Sequence, residues 1–501
     1  MVLETLEPKL VWEIFENVFI KTPRESKKEE KIRAKIKEWV LEQSVARELD
    51  ITVNEDSTGN LLIKKPPTKG MESAQPILLQ GHMDMVCETD REGGFDFENE
   101  PIPVRIQDNG EWVEADGTTL GGDNGIGLSL AMALLVDPKV AHGPIEILAT
   151  VDEETGLVGA FGLDIEALGL TSKLMINLDS EEIGSITIGS AGGGDLLFEK
   201  TLARMEPGGP MTFFEITISG LFGGHSGVDI HLPRGNANRL LARILSKLLA
   251  EMGVMLREWN GGSKPNAIPR DSVASFGVSA DRAARAEDIL VSERDSILAY
   301  YRNPASGPDA LEPNLEIKWT NTDEGPCISV DDTAKIIRTV YSTPHGPVRF
   351  SPDVEGLVET SNNLAIINTT DDAITIHLSP RGSRDGELQA LRRSLADLGR
   401  LGGWEVTMRP TYPGWAPDPH GPFLQFVRKH YEKVLGRSVA VEAIHAGLEC
   451  GIVGAKIPGI QIVSIGPGLM NAHTPDEKLR IADVGVLYDV LKSILEDIKS
   501  L

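Results

Sequence analysis

PILLQGHMDMV, residues 76–86, decides the reading of this chain. An apolar run, Ile77-Leu78-Leu79, stops at a glycine and is followed at once by His82 and Asp84. Residues i and i+2 of a strand share a face, so these two side chains can enter one pocket at the strand's carboxyl end. Open α/β sheets bind their ligands there.

The same rhythm continues outward from this stretch. GGDNG (121–125) is a turn opening the apolar helix IGLSLAMALLV, PIEILATV (144–151) is a strand ending in acids, and KLMINLD (173–179) is another ending in an aspartate. Strands alternating with helices predict an α/β domain built on a mainly parallel mixed sheet with helices on its faces.

At SAGGG (190–194) the pattern changes. MTFFEITISG (211–220) alternates like a half-exposed antiparallel strand, and a long helix, NANRLLARILSKLLAEMG, follows. SVASFGVSA is then a strand, AARAEDILVSERDSILAYY a helix and NLEIKWTN a strand, and a similar order recurs in GPCISV, DDTAKIIRTVYS, AITIHLS, GELQALRRSLADLGRL and WEVTMRP. Two β-α-β-β-α-β modules in tandem are expected, with Asn266-Ala-Ile and Asn362-Asn363-Leu-Ala-Ile at equivalent points. The helix PFLQFVRKHYEKVLG and the strand IQIVSIG (460–466) restore the α/β rhythm. The expected division is a catalytic domain from residues 1–195 and 412–501, interrupted by an inserted α+β domain at 196–411.

A chain of 501 residues exceeds one comfortable core, which agrees with two domains. Its net charge of −26 argues against nucleic acid or an anionic membrane as the natural partner. Cys87, Cys327 and Cys450 are too few and too scattered for a disulfide framework or a CxxC metal site. Neither a signal-peptide core nor a long apolar run is found, so the expected location is cytoplasmic.

Several apolar elements end in groups that carry chemistry: His82 and Asp84, Asp123, Asp152-Glu153-Glu154, Asp179, and His473 in NAHTPDE. Gathering so many carboxylates in one cleft is costly without positive charge, and no lysine or arginine lies inside these motifs. Divalent metal is the simplest compensation. Two histidines and three carboxylates, one of them bridging, suit a pair of zinc-like ions.

GHMDMV, DGTTLGGDNGIG, TVDEETGLVGA, NLDSEEIG, GGHSGVDI, HAGLECGI and GPGLMNAHTPDE, with the early EPKLVWEIFE and the later YPGW, occur in order along nearly the whole chain. Together they resemble the aminoacyl-histidine dipeptidase (cytosol nonspecific dipeptidase) family, which belongs to the di-zinc aminoacylase and carboxypeptidase-like metallopeptidases. The resemblance implies a zinc-exopeptidase-like catalytic domain with an inserted lid. It implies that Asp123 bridges two zinc ions, that His82 and Asp179 complete one, and that Glu154 and His473 complete the other. Asp84 becomes the partner of the second ring nitrogen of His82, fixing its tautomer.

Glu153, adjacent to a ligand, is the expected general base. The resemblance gives His225 in FGGHSG the task of hydrogen-bonding the oxyanion. Asn266 and Asn363, or its neighbour Asn362, are expected to contact the substrate backbone. Arg381 in SPRGSRDG is the expected receptor of the substrate carboxylate, with Arg384 in reserve. Glu449 in HAGLECG is expected to meet the substrate's amino group or to act as a second acid behind the ligands, with His445 orienting it. Cys87 reads as a packed small hydrophobe. His142, His231, His345, His377, His420 and His430 receive no role.

The expected activity is hydrolysis of unblocked small dipeptides, with carnosine-like Xaa-His among the substrates. An N-acyl-amino-acid deacylase on the same scaffold is the alternative. A metal-binding protein without activity is disfavoured because every position is filled, and a two-metal nuclease is disfavoured by the acidic charge. Mixed His and carboxylate ligands leave Co2+ or Mn2+ open beside Zn2+. Homodimerisation is left open as well.

Overall fold

The computed structural model describes residues 2–302 and 310–501. The chain forms two compact units, one of Met1–Gly189, Pro417–Ala443 and Leu448–Leu501, the other of Ser190–Ala416 and Ile444–Gly447. Each has its own apolar core.

The first unit is built on an eight-stranded sheet. Its strands are β1 (Thr52–Glu55), β2 (Leu61–Lys65), β3 (Ile77–His82), β4 (Ile145–Thr150), β5 (Leu174–Asn177), β6 (Ser185–Thr187), β7 (Ala440–Glu442) and β8 (Gln461–Ser464). They lie in the order β1-β2-β4-β3-β5-β8-β6-β7. The central four, β4-β3-β5-β8, are parallel, whereas β2 runs antiparallel to both β1 and β4. β3, β4 and β5 are buried at every residue, as unbroken apolar runs become when both faces of a sheet are covered. The helix Gly122–Val136 packs on β3, and Pro422–Leu435 packs on β8.

This topology creates the ligand position. From β3 the chain passes through the helix Gly122–Val136 to β4 on one side, then returns to place β5 on the other. Strand order reverses at β3, and such a switch point opens a crevice beyond the strands' carboxyl ends.

The second unit carries a ten-stranded sheet. Its first module has strands Met211–Ser219, Met255–Gly261, Ser272–Ser279 and Glu316–Asn321 with helices Ala237–Met252 and Ala283–Arg302. The fourth strand lies beside the first, then come the third and the second, all antiparallel. This is the split β-α-β arrangement read from the sequence.

The second module uses Val358–Thr369, Ala373–Gly382 and Glu405–Met408 with helices Val330–Ser342 and Asp385–Leu401. Its first strand is not the expected GPCISV. Among the described residues, Cys327–Ile328 pairs only with Arg204–Met205, in a separate two-stranded ribbon. Leu196–Thr201, which precedes the whole first module, takes the place between Ala373–Gly382 and Glu405–Met408. The physical reason is length and pattern. Leu196 and Phe198 alternate into the core along a six-residue ladder, while Gly325-Pro326 keeps the other candidate short.

Among the described residues, no helix is long and apolar enough to cross a membrane. His142, without a role in the sequence reading, is buried just before β4. Its Nδ1 donates to Gly143 O at 2.6 Å, and its Nε2 has no hydrogen-bond partner. Burial, reinforced by the charge of Lys65, pushes its pKa down to about 4 against the opposing Gly143 hydrogen bond. The unfolded chain therefore binds the extra proton between the ordinary histidine value and about 4. The stability His142 contributes is complete above roughly pH 6.5 and is lost as pH falls toward 4, by up to about 3 kcal/mol. In urea titrations at pH 7 and pH 4, His142→Gln should lose less stability on acidification than the wild type; an equal loss refutes the assignment.

Candidate metal centre

His82, the last residue of β3, is buried, and its two ring nitrogens face different partners. Nδ1 lies 3.3 Å from Asp84 Oδ1 and 3.2 Å from Asp84 O. Nε2 lies 2.8 Å from Asp123 Oδ1 and 3.4 Å from Asp179 Oδ1. The Asp84 carboxylate ties two strand ends together: Oδ1 accepts from Glu153 N at 3.1 Å, and Oδ2 accepts from Glu154 N at 3.3 Å and Ser26 Oγ at 2.8 Å. Burial would raise its pKa, but His82, the Glu153 amide and Ser26 carry it down to about 2.

Asp123 belongs to the turn that opens the helix Gly122–Val136. Its Oδ1 faces His82, and its Oδ2 lies 3.2 Å from His473 Nε2. His473 Nε2 is also 2.9 Å from Glu154 Oε2. One carboxylate thus stands between two imidazoles, with Asp179 beside the first and Glu154 beside the second. His82, Asp123 and Glu154 offer ligand atoms all within 4.8 Å of one another.

These residues fit divalent cations on two further observations. Glu154 Oε1 and Asp179 Oδ1 are buried without a hydrogen-bond partner, although a buried carboxylate oxygen normally has one. With protein groups alone, the hydrogen bonds of Asp123 and Glu154 raise the His473 pKa to about 11. For His82, Asp179 and Asp123 overcome the effect of burial and raise the pKa as well. The acids draw positive charge onto both rings, and a bound cation could supply that charge instead.

Glu153 follows β4. Burial raises its pKa well above the ordinary carboxyl value; His82 opposes this, while Asp179, Glu449 and Glu154 add to it. Glu449, at the start of the helix Glu449–Lys456, is buried, and its Oε2 accepts from Gln80 Nε2 at 2.6 Å and Thr150 Oγ1 at 2.7 Å. Its Oε1 has no partner. Burial pushes this carboxyl up to about 7 against His82 and the Thr150 and Gln80 hydrogen bonds. Gln80 and Thr150 therefore orient Glu449, whereas the His445 ring is held by Ser361 Oγ, 2.7 Å from Nε2.

The second unit gathers another polar group. His225 lies on the short strand Gly224–His225, which pairs with Ala267–Ile268 and so brings it beside Asn266. Its Nδ1 accepts from Val228 N at 3.0 Å and Gly227 N at 3.3 Å. That arrangement leaves the proton on Nε2, making it a donor. Burial, with Arg381 nearby, lowers the pKa and keeps the ring neutral; Asp229 opposes. Asn363 Nδ2 donates to Pro265 O and Ala267 O at 2.9 and 2.8 Å, straddling Asn266, while Asn362 turns to Pro344 O.

Arg381 is buried, with Nη1 donating to Tyr412 Oη at 3.1 Å and Nε without a partner. Arg384 is exposed and paired with Asp353 and Glu359. His445 is pushed down to about 3 by burial, with Arg381, His225 and His231 adding to the effect against a backbone hydrogen bond. A guanidinium beside two neutral histidines is suited to a carboxylate or a developing oxyanion.

The sequence reading missed Arg24 and Glu477. No basic residue lies inside the motifs, but Arg24 arrives from the amino-terminal segment and donates through Nη1 to Met83 O and Asp84 O, and through Nη2 to Gly121 O. Glu477 stands within the quoted NAHTPDE and accepts the backbone N–H groups of residues 120–123. Only its place four residues after His473 gave a signal.

Residues 78–497 match the sequence profile of peptidase family M20/M25/M40. The chain is 37% identical over 497 residues, covering 99% of each sequence, to the cytosol non-specific dipeptidase of Escherichia coli (strain K12). It is similar to the crystal structure of aminoacylhistidine dipeptidase from Vibrio alginolyticus, with a TM-score of 0.88 and 35% identity over 99% of this chain and 97% of that one. A tripeptidase from Staphylococcus aureus shares the fold, with a TM-score of 0.55 and 16% identity over 99% of this chain and 100% of that one.

Adding a divalent cation should raise the unfolding temperature, corresponding to about 2.7 kcal/mol at a hundredfold excess over the dissociation constant. Asp123→Ala should lose that response in calorimetry, and an unchanged shift would remove Asp123 from the ligand set.

Proposed function

The chain belongs to peptidase family M20/M25/M40, and from that membership we propose that it is a dipeptidase using two divalent cations, zinc first. The observation that carries this reading is Asp123, whose two oxygens face His82 and His473, one each. His82, Asp179 and Asp123 would hold one ion, and Glu154, His473 and Asp123 the other. When bound, such ions acidify water and polarise the scissile carbonyl.

The chain's own residues do the rest. Asp84, buried and ionised, holds His82 with Nε2 free for a ligand. Glu153 takes a proton from the attacking water, whose oxygen forms the new bond to the carbonyl carbon. It returns that proton to the leaving amine as the C–N bond breaks. Its raised pKa suits both halves of the task. His225, with its proton on Nε2, donates to the carbonyl oxygen as negative charge develops.

The remaining groups are assigned to the substrate's two ends. Arg381 receives the free carboxylate, and Asn266 and Asn363 meet the substrate backbone. Glu449, with Oε1 unpartnered, receives the free ammonium group. Receptors for both charges favour unblocked dipeptides over N-acyl amino acids. The relative's name places it in the cytosol, and we take that compartment for this chain.

A panel of β-Ala-His, Gly-His, Ala-Ala, a tripeptide and an N-acetyl amino acid, each with chelator and then restored zinc, tests the reading. Chelator-sensitive cleavage of dipeptides is expected, with Xaa-His among them; cleavage of the N-acetyl compound alone would replace the reading with a deacylase. Glu153→Ala should retain metal while losing on the order of a hundredfold or more in kcat. Near-full turnover would sink the general-base assignment. Glu449→Gln should raise KM for dipeptides, and an unchanged KM would remove it from the amino-group site.

A further inference from the structure

Resting on the two-cation reading, we infer that Arg24 and Glu477 form a buried clamp that sets the backbone of Asp123 and thereby tunes metal affinity. Both are positioning residues, acting through the main chain of the ligand-bearing segments.

Glu477 is 2% exposed, and both its oxygens are committed. Oε2 accepts from Leu120 N at 2.8 Å and Gly121 N at 2.9 Å; Oε1 accepts from Gly122 N at 2.8 Å and Asp123 N at 3.3 Å. Successive amides at a helix start have no intrahelical acceptor, and a carboxylate there is favoured by the exposed N–H groups. This carboxylate fixes the direction in which the Asp123 side chain leaves the turn. It also follows His473 by four residues, so one side chain joins the loop of the second histidine to the bridging aspartate.

Arg24 works on the opposite side of the same turn. Nη1 donates to Met83 O at 3.0 Å and Asp84 O at 2.8 Å, and Nη2 donates to Gly121 O. It therefore sets the distance between the end of β3, which carries His82, and the turn that carries Asp123. Gly121 has φ +71, and a Cβ there would collide with Arg24 Nη2, so glycine is required on both counts. The guanidinium is 1% exposed and lies over the Phe19 ring at 5.6 Å. Burial lowers the pKa of the guanidinium, with the charges of Glu477 and Asp84 opposing it.

Ligand-positioning partners of this kind typically change metal affinity by roughly 10- to 100-fold when removed. Gln at 477 keeps the size but turns an N–H2 group against backbone donors; Asp keeps the charge on a shorter arm. Metal affinity is read by competition with a fluorescent chelator, independently of turnover, while thermal melts confirm folding. Glu477→Gln should bind zinc roughly 10- to 100-fold more weakly, Glu477→Asp should recover part of the loss, and KM at saturating zinc should stay within about twofold. A folded Glu477→Gln with near-wild-type affinity overturns the inference, because a purely structural role lowers only the melting temperature. Should that variant fail to fold, Arg24→Lys decides by the same measurement. Arg24→Met combined with Glu477→Gln should lose no more affinity than the worse single variant, and additive losses would overturn the clamp as a unit. A wild type that binds no zinc would instead refute the two-cation reading.

Discussion

Repulsion among buried carboxylates is the constraint that shapes this molecule. The parallel strands β4, β3 and β5 all deliver acids to one end of the sheet, where burial strengthens every like-charge contact. The fold answers in two ways. Asp84 and Glu477 are quenched by main-chain N–H groups, supported by Ser26 and Arg24. Glu154, Asp179 and Glu449 instead each keep a buried oxygen without a hydrogen bond. The satisfied acids organise the backbone; the unsatisfied ones are those proposed above to meet cations and substrate. Beneath them, Gln80, Asn177, Ser464 and Ser180 bond to one another across adjacent strands, so side chains as well as ladders tie these strand ends together.

The second unit uses the opposite electrostatic rule. Arg381 is buried near His225 and His445, and both rings are kept neutral. His225 depends on Gly227 and Val228, whose amides fix its tautomer. Asn363 spans the loop of Asn266 from the other module, so the two points judged equivalent in the sequence are joined by hydrogen bonds.

Much of this architecture is legible in the residues. Ile77-Leu78-Leu79 followed by His82 has few readings other than a buried strand ending at a site, and ATVDEE and MINLD repeat the form. Positions 82, 154 and 179 arrive at one place because their motifs follow adjacent parallel strands of one sheet, and 123 and 473 join them from the turn that opens the helix Gly122–Val136 and from the loop after Leu469–Met470. Arg24 was illegible for a different reason. It serves through main-chain carbonyls, which exist at every residue and leave no pattern of side chains to recognise. Glu477 lay in view beside His473, but a carboxylate among ligands reads as another ligand until its four amide donors are seen. The first strand of the second module was misplaced because periodicity specifies which segment is a strand, not which ladder it enters.

That displaced strand has a consequence for synthesis on the ribosome. Leu196–Thr201 emerges early, yet its two neighbours, Ala373–Gly382 and Glu405–Met408, are made only after the entire first module. The first module, with its four strands between Met211 and Asn321, is complete in one continuous stretch and is free to form as soon as it leaves the tunnel. Leu196–Thr201 must wait beside it with its ladder unpaired, and β5 must wait still longer for its carboxyl-terminal neighbour β8. Vectorial production therefore imposes a sequence on assembly, with the contiguous module first and the crevice beyond the parallel strands last. The grouping of His82, Asp123 and Glu154 around His473 cannot exist in a nascent chain until the segment bearing His473 has been released.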